Sequence, residues 1–78
     1  MLKFILNEET TDKVVYEYFP ENGNDSGLVS YDKKADKCSI VTLSKVDKHQ
    51  RYAQKMFSKI REYASNNSFQ KEGIVAWY

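Results

Sequence analysis

Cys38 and His49 are the one conventional nucleophile and the one neutral-pH base among the 78 residues, so a Cys-His pair is the sharpest catalytic arrangement this chain could assemble. Their surroundings argue against it. Cys38 falls in an apolar, β-prone stretch where a thiol behaves as a small hydrophobe. His49 falls on an apolar helical face near its first turn, the place of a core-edge or capping histidine. No activating motif flanks either residue, so no catalytic residue is assigned and the chain reads as a non-enzyme. One Cys and one His cannot build a four-ligand structural zinc site. Asn22, Asn24 and Ser26 ahead of Gly27 outline a calcium loop, but Lys33 stands where the bidentate glutamate should close it. Three glycines at turns and a strand start make no phosphate-binding loop. Glu8, Glu9, Asp12, Asp32 and Asp36 sit in turns, where solvation explains them. Neither a metal nor a cofactor is assigned.

The pattern that does suggest a ligand is cationic. Lys48, Arg51, Lys55 and Lys59 recur at three- and four-residue intervals, which aligns them along one side of a helix where they could meet the phosphates of a nucleic acid. Helical spacing also lets Asp47 pair with Arg51 and Glu62 with Lys59, the ordinary dress of a solvated helix. The formal net charge of +1 conceals a division: residues 1–36 hold four lysines against eight acids, and residues 37–63 hold seven basic residues against two acids. Such asymmetry marks a surface for anionic partners or lets the two halves attract each other.

These side chains must be placed by a small number of elements. Alternation of Leu2, Phe4 and Leu6 predicts a strand over 2–6, and the β-branched and aromatic run Val14, Val15, Tyr16, Tyr18 and Phe19 predicts one over 13–19 that Pro20 ends. Asn22-Gly23 has the chemistry of a tight hairpin, and strands over 28–31 and 37–43 follow around the polar turn 32–36. The apolar period then changes from two to about 3.6. Ser44 and Asp47 resemble a capping pair, and a helix over 45–65 would gather Val46, His49, Tyr52, Ala53, Met56, Phe57, Ile60, Tyr63 and Ala64 on one face. Asn66 or Asn67 can take the left-handed conformation that closes it, and 73–78 reads as a last strand.

The expected architecture is therefore α+β in the order β-β-β-β-α-β. It is a mainly antiparallel sheet of four or five strands with one long amphipathic helix on one face, in a single domain spanning residues 1–78. A chain with 41% hydrophobic and 29% charged residues is globular in composition, but at this length its core is thin. Eleven aromatic residues exceed what one helix can cover. The reverse side of the sheet is accordingly expected to be a Tyr-rich surface, with Tyr16, Tyr18 and Tyr31 as the interface for a second copy in a homodimer or for another protein. The leading functional expectation is a non-enzymatic interaction or self-associating domain; the alternative is a nucleic-acid binder using Lys48, Arg51, Lys55 and Lys59.

The segment Val15-Tyr16-Glu17-Tyr18-Phe19-Pro20-Glu21, the helical stretch from Tyr52-Ala53 to Phe57-Ser58-Lys59-Ile60, and the ending Glu72-Gly73-Ile74-Val75-Ala76-Trp77-Tyr78 resemble small uncharacterised proteins of low-GC Gram-positive bacteria. The resemblance spans most of the chain and implies a bacterial, intracellular setting. A cytoplasmic location fits two further features. Met1 to Leu6 is too short an apolar run for a signal segment or membrane span, and a single cysteine excludes an internal disulfide.

Overall fold

Alternation in the first half of the chain and the 3.6-residue period in the second resolve into five strands and one helix. The computed structural model describes residues 1–21 and 23–75. In it β1 (Leu2–Glu9), β2 (Lys13–Pro20), β3 (Gly27–Asp32), β4 (Lys37–Thr42), α1 (Arg51–Ser65) and β5 (Glu72–Val75) follow one another. The fold is α+β in the predicted order, with a five-stranded sheet ordered β4-β3-β2-β1-β5. Every neighbouring pair is antiparallel. β5 joins the outer side of β1, so β4 and β5 run in the same direction at opposite edges, and α1 carries the chain back across the sheet between them.

Strand ends depart from the sequence pattern for local reasons. A register shift between Leu6 and Glu8 lets β1 continue and pair Glu8 and Glu9 with Val15 and Val14. Pro20 is the last residue of β2, opposite Leu2. After it, Glu21 takes the left-handed conformation (φ 54°); Asn22 of the expected Asn22-Gly23 turn lies outside the described residues, as do residues 76–78 of the expected last strand.

One face of the sheet and the inner face of α1 enclose the core. Leu2, Phe4, Val14, Tyr16, Tyr18, Val29 and Tyr31 meet Ala53, Met56 and Ile60, all buried, with Tyr52, Phe57, Tyr63 and Ala64 of the helix half-buried around them. Phe4 meets Tyr16 edge to face (centroids 5.5 Å apart, planes at 83°), and Tyr63 lies 6.1 and 6.4 Å from these two rings, so three aromatics bind helix to sheet. Tyr18 and Phe4 pack over the glycines that face them across the ladder, Gly27 and Gly73. A Cβ at Gly73 would stand 2.7 Å from Phe4 Cζ, and one at Gly27 would collide with the Tyr18 ring and stand 2.7 Å from the Thr42 carbonyl. Each ring therefore needs a partner without a side chain.

The helix begins six residues later than its apolar pattern suggests. Residues 44–50 instead form two successive turns, closed by Asp47 N–H to Ser44 O (3.0 Å) and Gln50 N–H to Asp47 O (2.9 Å), and Gln50 is left-handed (φ 60°). A left-handed residue cannot lie within a right-handed helix. Val46 (61% exposed) and His49 are thus in solvent, not on the apolar face where the helical period puts them. Asp47 still caps the helix, from a distance: Oδ1 accepts the Tyr52 N–H and Oδ2 the Ala53 N–H, each at 3.0 Å. Tyr18 Oη donates to Oδ2 (3.2 Å) and accepts the Ser44 N–H (3.2 Å). The expected Asp47–Arg51 pairing gives way to this, because the carboxylate is turned inward and buried. At the other end Asn67 is left-handed (φ 53°) and Ser68 N–H returns to Tyr63 O (3.0 Å), a helix-closing pattern of the expected kind.

Asp47→Ala strips two helix amides and the Tyr18 hydroxyl of their acceptor. It is expected to cost about 2–4 kcal/mol, with Asp47→Asn recovering part of that loss, both read as shifts in the denaturant midpoint.

Candidate functional site

The ladder that buries Leu2, Phe4, Val14, Tyr16, Tyr18, Val29 and Tyr31 turns the alternate residues outward. These are Lys3 and Ile5 on β1, Lys13, Val15, Glu17 and Phe19 on β2, Leu28, Ser30 and Asp32 on β3, and Glu72 and Ile74 on β5. No described element packs on this face. Ile5, Val15, Phe19 and Leu28 are half-buried, while Ile74 (59% exposed) and, on β4, Val41 (58%) stand in solvent. Charges sit among them in rows. Lys3 pairs with Phe19 on one side and Ile74 on the other, its ammonium 5.9 Å from the Phe19 centroid. In the next row Ile5 lies between Glu17 and Glu72, and Glu17 accepts the Ser26 hydroxyl at 2.7 Å.

This is not the surface the aromatic count suggested. Tyr16, Tyr18 and Tyr31 are all buried on the helix side and cannot form an interface on the open face. Their hydroxyls explain how phenols enter a core. Tyr16 donates to Gln70 O (2.6 Å), Tyr18 to Asp47, and Tyr31 to Asp36 Oδ1 (2.6 Å). Burial pushes the Tyr16 phenol up, with Tyr63 and Glu9 adding to it. Burial likewise raises Tyr18, the Ser44 N–H partly offsetting it. The signal for the correct phase was Glu17, which alternates with Val15 and Phe19 and marks their side as the wet one.

Of the four expected phosphate contacts, three come together at the start of the helix. Two adjoining grooves of about 280 and 370 Å³ share His49, Arg51 and Tyr52; Val46, Asp47 and Lys48 complete the first, Gln54 and Lys55 the second. Lys59 departs from the ridge. Its ammonium pairs with Glu62 at 2.9 Å and lies 5.6 Å from the Tyr63 ring centroid, and the Glu62 bond raises its pKa. The helix N-terminal amides do not contribute, since Asp47 already occupies two of them.

Cys38 and His49 are not assembled into a pair. Cys38 faces Tyr31 in the ladder with Asp36 and Arg61 nearby, and burial pushes its thiol up, away from nucleophilic chemistry. His49 precedes the opposite end of a 15-residue helix. Among the described residues no three His, Cys, Asp or Glu side chains converge as a metal site, and no helix is long and apolar enough to cross a membrane. Comparison with protein-family models, with curated proteins and with solved structures gives no match.

The Tyr31–Asp36 bond has a consequence in alkali. The hydrogen bond to Asp36, with burial adding, pushes the Tyr31 phenol from its ordinary 10 up to about 12. The folded value lies above the unfolded one, so the bond's contribution to stability is complete below about pH 10 and is lost as pH rises towards 12. Asp36 is left-handed (φ 53°), a conformation Asn also accepts. Asp36→Asn is therefore expected to bring one tyrosine back towards ordinary ionisation in a phenolate absorbance titration, without loss of fold.

Proposed function

We propose that this chain is a non-enzymatic interaction domain that associates with a second copy of itself through the open face of its sheet. The observation that carries this reading is the one-sided covering of the sheet: α1 closes one face, and the other keeps Ile5, Val15, Phe19, Leu28 and Ile74 at the surface. Apolar side chains left uncovered across one face of a sheet mark an association site.

The arrangement of charge favours a second copy over an unrelated partner. A two-fold axis crossing the strands between the Lys3 row and the Ile5 row would lay each Lys3 over the other copy's Ile5, between its Glu17 and Glu72. Both lysines would then find acidic neighbours across a symmetric interface. The molecule measures 30 × 21 × 18 Å, so its broad face is on the order of the 800 Å² per partner of a standard interface.

Sedimentation equilibrium of the intact chain is expected to give a dimer, and Ile5→Glu or Ile74→Glu a folded monomer. Lys3→Glu should also weaken the dimer, and adding Glu17→Lys and Glu72→Lys should restore it. A wild-type chain that stays monomeric at high concentration, or a dimer indifferent to all these changes, overturns the reading.

A further inference from the structure

We propose that the paired grooves at the start of α1 form a binding site for single-stranded nucleic acid, with Lys48, Arg51 and Lys55 on the phosphates and Val46, His49 and Tyr52 against an unstacked base. The site lies on the helix side of the molecule, away from the open sheet face, and does not depend on self-association.

Three observations carry it. The first is charge: the cations Lys48, Arg51 and Lys55 line the two adjoining grooves. Two acids adjoin them, and both carry hydrogen bonds within the fold. Asp47 is 2% exposed, with its oxygens turned to the Tyr18 hydroxyl and two helix amides. Glu21 accepts from the N-terminal ammonium (2.6 Å) and from Tyr52 Oη (3.0 Å). Cations outnumber acids along the two grooves, and a concave surface with such an excess concentrates counter-ions of the other sign.

The second observation is apolar. Val46 is the most exposed large hydrophobic residue described (61%), and it stands at the rim of the cationic groove beside Tyr52. Packing within the fold does not account for it. An apolar and an aromatic side chain adjoining cations are what an unpaired base needs, since sequence-tolerant strand binders combine a positive groove with apolar and aromatic contact surfaces.

The third observation selects the single strand over the duplex. The cationic row does not run the length of the helix, because Lys59 is drawn to Glu62 and Tyr63. Contacts are gathered on Lys48, Arg51 and Lys55 at the start of the helix, a short cluster that a flexible strand can follow and a rigid duplex meets less well.

The test is fluorescence anisotropy with labelled oligo-dT and oligo-U, alongside a duplex of equal length, heparin and vesicles of phosphatidylglycerol and phosphatidylcholine. With about three phosphates neutralised, affinity for the single strands should fall about twentyfold between roughly 50 and 200 mM salt. Lys48→Glu and Arg51→Glu, both exposed, should each weaken binding about tenfold or more without a change in melting temperature. Val46→Ser should weaken it while leaving the salt dependence unaltered. Lys3→Glu, on the other face, should leave it intact. Absence of binding at low salt overturns the proposal, as do charge reversals without effect. Equal or tighter binding to duplex, heparin or vesicles, with Val46→Ser silent, overturns it in favour of a general polyanion or membrane surface.

Discussion

The two oxygens of Asp47 hold the Tyr52 and Ala53 amides and the Tyr18 hydroxyl, and through Tyr18 the Ser44 amide. Strand β2, the segment leaving β4 and the first turn of α1 are thereby joined at one buried point. Ser44 extends the network, donating to the Asp25 carbonyl at 2.7 Å, while the Lys45 amide donates to the Asp25 carboxylate at 2.9 Å. This tie settles where the helix starts, and so how much of the sheet it covers and which side chains before it stay in water. The exposed Val46 and His49, the grooves around Arg51 and the inward Tyr18 all follow from it. Among the described residues no buried side-chain nitrogen or oxygen lacks a partner, as a core this small and this rich in phenols requires.

The element order and the antiparallel pairing were legible because two periods dominate the chain and the switch between them falls at one place. The stripe of Tyr52, Ala53, Met56, Phe57, Ile60, Tyr63 and Ala64 packs as its spacing implies. The start of the helix was less legible. Residues 45–50 fit an apolar helical period, yet the turns closed on Ser44 and Asp47 and the left-handed Gln50 win over it. An aspartate three residues before the N-cap looks, in a one-dimensional reading, like a residue inside the first turn.

The open face shows a different limit. β2 offers apolar side chains to both sides, so strand alternation alone leaves the phase undetermined, and counting aromatic rings favoured the wrong side. Rings carrying hydroxyls entered the core because Gln70, Asp47 and Asp36 receive them. Two of these acceptors lie more than 25 residues away in sequence, and nothing local announces them. What remains outside is mostly aliphatic, interleaved with lysines and acids, whereas the helix side is chiefly cationic. The opposed charge of the two halves of the sequence thus reappears as two surfaces of unlike character, each suited to a different class of contact.

The common direction of β4 and β5 bears on how copies can meet along their edges. Growth of a continuous sheet by translation would set β4 of one molecule against β5 of the next as a parallel pair of short strands, the weaker ladder type. The register shift where β4 meets Leu28 and Val29 interrupts that edge further, and such irregularities deter edge pairing. Unlimited fibrous extension is therefore disfavoured by topology itself, leaving closed, symmetric stacking as the safer outlet for a sheet that has only one of its sides lidded.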